Sequence, residues 1–164
     1  MAAYAVEPWS DLFVAAAGAG AALAGLVFVA VSINIERILA LKGLAERGLE
    51  TVVTLLVVVI IALAGLIPGQ STVALGVELL LIAVAYLGLI IKLWPSVRPS
   101  VEAPWTWTFG RIFVKVILVV PLVVGSIGLI AEGGGGLYWI VGAIVGGITG
   151  AVATAWVLLV EILR

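Results

Sequence analysis

Five apolar stretches, at about residues 11–42, 49–67, 71–94, 105–131 and 137–163, occupy most of this 164-residue chain. Each is long enough to cross the roughly 30 Å hydrocarbon core of a bilayer, which takes about 20 residues of helix. Only 10% of the residues are charged and 65% are apolar, whereas a soluble domain has about 25% charged residues. A soluble fold of this length has no interior large enough for so much apolar surface. With lipid as the solvent, backbone groups must be satisfied within the chain, and that selects helices. The expected fold is all-α: a polytopic membrane bundle of about five transmembrane helices, forming one integral-membrane domain over 1–164.

The charges divide by side. Arg37, Lys42 and Arg47 lie between the first and second stretches, and Lys92, Arg98, Arg111 and Lys115 bracket the third-to-fourth connection. Arg164 follows the fifth, while the N-terminal tail and the turns at Pro68–Gln70 and Glu132–Gly136 carry no base. Cytoplasmic connections collect Lys and Arg, so the N-terminus is expected outside and the C-terminus inside. On that assignment the outer side holds Glu7, Asp11, Glu78 and Glu132, a charge of −4. The inner side holds all eight bases with Glu36, Glu46, Glu50, Glu102 and Glu161, a charge of +3. The first 35 residues contain acids and no base, unlike a signal peptide, so the first stretch reads as a retained helix. A bacterial inner (plasma) membrane is the expected location.

Several function classes drop out. The chain has no Cys and no His, which excludes disulfides, thiolate nucleophiles, Cys/His metal sites and His-ligated haem. The run Gly133–Gly136 lacks the Lys and Ser/Thr of a phosphate loop. No Ser has a His partner for nucleophilic attack. The expectation is no enzyme, no cofactor, no metal and no nucleic-acid partner. The expected partners are the lipid bilayer, further copies of the chain, or another membrane protein.

The sharpest pattern lies on the first stretch. Asp11, Ala15, Gly18, Ala22, Gly25, Val29, Ser32 and Glu36 follow at spacings of four and three, which keeps them on one stripe of a helix. Copies arranged around an axis would place acidic rings at both mouths of a pore, and acidic rings select cations. The same small residues equally suit close helix packing. In the fifth stretch, Gly142, Gly146 and Gly150 form a small-residue ladder, expected to pack against the first helix. Glu78 is the one acid placed well inside a span, and an intramembrane acid is an ion or proton candidate, with Gln70, Ser71 and Thr72 as neighbours. Arg37, Arg111 and Lys115, with Glu36, form an expected inner charge cluster, either ion-paired or snorkelling onto anionic lipid. Asn34, Thr54, Ser126, Thr149 and Thr154 read as interhelical glue. The second stretch, nearly all Val, Leu and Ile, reads as lipid-facing, and Pro121 is expected to kink the fourth.

The segment Ala21–Ala30 (AALAGLVFVA) followed by Ser32–Ile38 (SINIERI), preceded by Trp9 and Phe13, resembles a group of uncharacterised small multi-span bacterial membrane proteins. The Pro68–Gly69–Gln70 turn and Gly76-x-Glu78-Leu79-Leu80 resemble the same group. That resemblance implies a membrane bundle and transfers no functional residue. The stripe is also similar, in spacing alone, to the first helix of Orai-type calcium channels, which lines their pore. The functional expectation is a self-associating membrane protein forming a cation-conducting pore lined by the first helix. The alternatives are a non-conducting accessory or scaffold subunit, and a small cation- or proton-coupled carrier using Glu78.

Overall fold

The structure is a computed structural model and describes residues 3–40, 43–93 and 105–163; the side chains of 105–111, 158, 159 and 161–163 lie outside the description. Lys42, Trp94, Arg98, Glu102 and Arg164 therefore lie outside the described residues, as does the side chain of Arg111. A 3-10 turn at Glu7–Trp9 leads into α1 (Ser10–Ile33), α2 (Ile35–Ala40), α3 (Leu44–Gly65), α4 (Thr72–Leu93), α5 (Trp105–Ile130) and α6 (Leu137–Leu163). No strand occurs among the described residues. Five of the helices (all but α2) are long and apolar enough to cross a membrane.

The first stretch is two helices rather than one. Asn34 leaves the helical region (φ −106°, ψ 17°). Just before the break, Ser32 Oγ donates to the Phe28 carbonyl at 2.8 Å, and Asn34 Nδ2 donates to the Ala30 carbonyl at 2.9 Å. Such back-bonding competes with the helix ladder and bends helices. Beyond it, α2 buries Ile38 against Leu44, Val31 and Ala45. Gly43 turns the chain at φ +84°, a conformation glycine adopts without a Cβ penalty. Helix α3 then begins at Leu44, not near residue 49. Glu46, Arg47 and Glu50 depress hydropathy but are sound helix formers.

Helix α3 is the central helix, not a lipid-facing one: 61% of its span is buried, against 22% for α1. It touches α1, α4 and α6, while α5 packs between α4 and α6. Leu44, Gly48, Thr51, Leu55, Val58, Ala62 and Gly65 form one buried seam at four-three spacing, and Glu50, Thr54, Val57, Ile61 and Ala64 form a second. Hydropathy cannot separate such a helix from a peripheral one, because lipid tails are as apolar as Leu. The small and hydroxylated residues within it carry the distinction. Thus α3, α4, α5 and α6 form a four-helix group, with α1 laid on the outside of α3.

Glycines set the closest approaches. The Phe13 ring lies over Gly65, where an added Cβ would meet ring carbons at 2.7 Å. Gly76 admits α4 against the Ser126 carbonyl and Leu129 of α5. The ladder Gly142, Gly146, Gly150 does not meet α1 as expected. Gly146 lies against Ile117, Gly150 against Val114, and Gly142 near Pro121, all on α5. Pro121 explains the partner. It has no N–H to offer the Ile117 carbonyl four residues back, and a Cβ at Gly146 would stand 2.9 Å from that oxygen. Glycine lets α6 close over the interrupted turn.

Candidate functional site

Inside the four-helix group, Glu50 and Thr54 of α3 and Tyr86 of α4 are buried together; two further buried hydroxyls, Thr51 and Ser126, donate instead to carbonyls one turn back on their own helices. Lys115 of α5 completes the set, its side chain 13% exposed and that of Glu50 3%. Spacing explains the convergence: Glu50 and Thr54 are four residues apart on one helical face. Glu50 stands about 9 Å along the axis from the start of α3, and Lys115 about 15 Å from the start of α5. All three helices contribute from within their apolar spans.

Lys115 Nζ donates to Thr54 Oγ1 at 3.2 Å and lies 3.8 Å from Glu50 Oε2. Thr54 Oγ1 also contacts the Tyr86 hydroxyl at 2.9 Å and donates to the Glu50 carbonyl at 2.7 Å. The ammonium stands 5.8 Å from the centroid of the Tyr86 ring, within reach of the attraction between a cation and a ring face. A single positive charge is therefore held by a carboxylate, a threonine hydroxyl and an aromatic face. On the α4–α5 side Lys115 also forms part of the wall of an apolar groove of 440 Å³, lined by Leu87, Ile90, Ile91, Ile112, Val116, Val119 and Val120.

This arrangement redistributes the residues expected to act together. Lys115 pairs with Glu50, not with Glu36 in an inner charge cluster. Glu36 and Arg37 are exposed on α2. Glu50, expected on the inner side at the first residues of the second stretch, is inside the bundle. Thr54 does serve as interhelical glue, joining α3 to α4 and α5. The signal for the site lay in the sequence as Tyr86 and Lys115 interrupting apolar runs, with Glu50 and Thr54 in helical register.

The other candidates sit elsewhere. Glu78 is half-buried on α4. Its expected neighbours are otherwise engaged: Ser71 Oγ accepts the Ala74 N–H at 3.2 Å, and Thr72 Oγ1 donates to the Tyr4 carbonyl at 3.2 Å. Every member of the α1–α2 stripe, Asp11, Ala15, Gly18, Ala22, Gly25, Val29, Ser32 and Glu36, is exposed. A Cβ added at Gly18 or Gly25 would meet nothing within 4 Å. The inward face of α1 is a different one, made by Phe13, Ala16 and Gly20.

At the opposite end, the N-terminal segment straps the bundle. Leu137 N–H donates to the Ala3 carbonyl, and Gly135 N–H donates to the Tyr4 hydroxyl. Trp9 meets Tyr138 edge-on at 4.9 Å. With the Thr72 bond, this segment ties both turns of that end together.

The fold and the site together define a multi-pass helical membrane protein with a polar site inside its helices. No protein-family model, no curated protein and no solved structure matches the chain.

Proposed function

We propose that the chain is a small proton- or cation-coupled carrier and that Glu50, Thr54, Tyr86 and Lys115 handle the coupling ion. One observation carries this reading: a carboxylate and an ammonium are buried together within membrane-spanning helices. Ionisable groups at such positions are costly and mark ion or proton pathways. Stability alone is a poor reason for them, since well-packed apolar residues often replace a buried ion pair at no loss. The carrier sits with its N-terminus outside and the Gly43 end in the cytoplasm of a bacterial inner membrane. Moving Glu50 and Lys115 from the inner surface to the interior leaves the charge difference between the two faces unchanged. The test is flux in liposomes under an imposed pH gradient. The wild-type chain is expected to dissipate the gradient in exchange for a counter-ion, and Glu50→Gln to abolish this while remaining folded. Equal flux in Glu50→Gln ends this reading.

A second reading has its own observation. The acidic-ended stripe of α1 and α2 faces away from the bundle along its whole length, as a helix that lines a cation pore between several copies must do. It requires single-channel conductance from purified protein, with selectivity altered by Asp11→Asn or Glu36→Gln. Neither flux nor conductance, together with a co-purifying membrane partner, would leave the scaffold role.

A further inference from the structure

We infer that the cavity between the N-terminal segment and the α3–α4 turn binds a small organic ammonium ion. It lies at the opposite end of α3 from Glu50 and goes beyond the carrier reading without depending on it. The cavity measures 320 Å³, at the small end of ligand sites, which run from about 300 to 1,000 Å³. The apolar part of its lining comes from Ala5, Val6, Leu66 and Ile67, and the polar part from Glu7, Ser10, Gln70 and Thr72.

The polar part is made of acceptors. The Ser10 hydroxyl donates to the Glu7 carbonyl at 3.0 Å, and the Thr72 hydroxyl donates to the Tyr4 carbonyl at 3.2 Å. A hydroxyl has one proton, so both oxygens are left with lone pairs to offer. At the end of α3 the carbonyls of Gly65 and Leu66 accept no backbone hydrogen bond from the turn, where Pro68 has no N–H. Open carbonyls at a helix C-terminus carry a partial negative charge that attracts cations. Glu7 adds a full one. Among the described residues, neither its carboxylate nor the Gln70 side-chain amide has a hydrogen-bond or ion-pair partner. Residues 1–36 and 48–91, which include the whole lining, contain no Lys or Arg.

An alkylammonium ion matches both parts of this lining. Its N–H groups donate to the oxygens, and its carbon chain lies against Val6, Leu66 and Ile67. A bare metal ion leaves the apolar part unfilled, and an anion faces Glu7 and the end of α3.

The test titrates the purified full chain with n-butylammonium chloride at low ionic strength and follows tryptophan fluorescence, since Trp9 adjoins Ser10. A saturable response at millimolar concentration is expected, with a rise in Tm because the folded state is the one that binds. Sodium butyrate and n-butanol keep the carbon chain without the ammonium and are expected to give no saturable response. Glu7→Gln is expected to weaken binding about threefold or more, an effect that solvent exposure keeps modest and that salt screens. Ala5→Phe, at an exposed position, fills the cavity and is expected to abolish binding; Glu7→Gln decides alone should that variant not fold. The inference is overturned by the absence of saturable binding, by an equal response to n-butanol, or by undiminished affinity in Glu7→Gln. Glu50→Gln is expected to bind n-butylammonium as the wild type does. Binding without vesicle flux would sink the carrier reading and leave this site standing, and flux without binding would do the reverse.

Discussion

Thr54 is the hinge of the polar site at the scale of single residues. Its one O–H donates to the Glu50 carbonyl, so both lone pairs of the oxygen are left to accept. Lys115 takes one, and Tyr86 must then be the donor across their 2.9 Å contact, because a hydroxyl has a single proton. Thr54→Val keeps the shape and strips a buried ammonium and a buried phenol of that acceptor. It is expected to cost about 2–3 kcal/mol, against about 1 kcal/mol for Tyr86→Phe, which removes one neutral hydrogen bond. Denaturant unfolding in detergent reads the difference; equal losses would mean Lys115 does not depend on Thr54. The ion pair allows a sharper comparison. Glu50→Leu or Lys115→Met alone breaks a buried ion pair and is expected to cost roughly 3–5 kcal/mol, while the double variant recovers most of it. A double variant as unstable as either single one would show that the pair is retained to hold the bundle together.

At the scale of elements, glycine has opposite consequences on α1 and α6. Gly146 is pressed against Ile117 and its carbonyl. Gly146→Ala is expected to separate α5 from α6 and lose about 1–3 kcal/mol by overpacking. Gly18 and Gly25 have open space around them in the single chain. Alanine there is expected to add up to about 1 kcal/mol through helix propensity, unless a second copy occupies the space. Thermal unfolding of the three alanine variants separates the cases. The five spans were legible in the sequence because length and hydropathy alone define them. The helix pairings were not. The α6 ladder announces close contact, but its partner is chosen by Pro121, whose effect on the Ile117 carbonyl only becomes visible once α5 and α6 are side by side. The place of α3 was hidden for a related reason: Val and Leu serve equally against lipid and against helices. Glu50 was hidden by its position at the start of the second stretch beside Arg47 and Glu46, where an interior acid imitates an interfacial one. Lys115, in turn, imitated a snorkelling interfacial lysine because Arg111 lies one turn before it.

For the whole molecule, the decisive asymmetry is that four spans surround a polar centre while α1 stands outside it. Phe13, Ala16 and Gly20 fasten α1 to α3, and the N-terminal strap fixes its N-terminal end through Ala3 and Tyr4. The exposed side of α1 carries the mostly small stripe from Asp11 to Ser32, flanked by Val14, Leu26, Phe28 and Ile33. In a membrane such a face gains more from another helix than from lipid, because small residues let backbones approach closely. The carrier reading needs no second copy, since its site lies within one chain. The pore reading cannot do without several. Self-association through α1 therefore separates them, and the absence of Cys makes the measurement clean. A single Ala22→Cys is expected to form disulfide-linked dimers in native membranes under mild oxidation if α1 meets α1. A disulfide needs Cα atoms about 4.4–6.8 Å apart, a separation that only close helix contact provides. Leu81→Cys, on the exposed face of α4, serves as the collision control. Crosslinking at Ala22 well above that at Leu81 places α1 at an interface between copies. Crosslinking no greater than at Leu81 leaves the stripe facing lipid and removes the pore, so that the carrier proposal, whose site lies within a single chain, is the one left to test by flux.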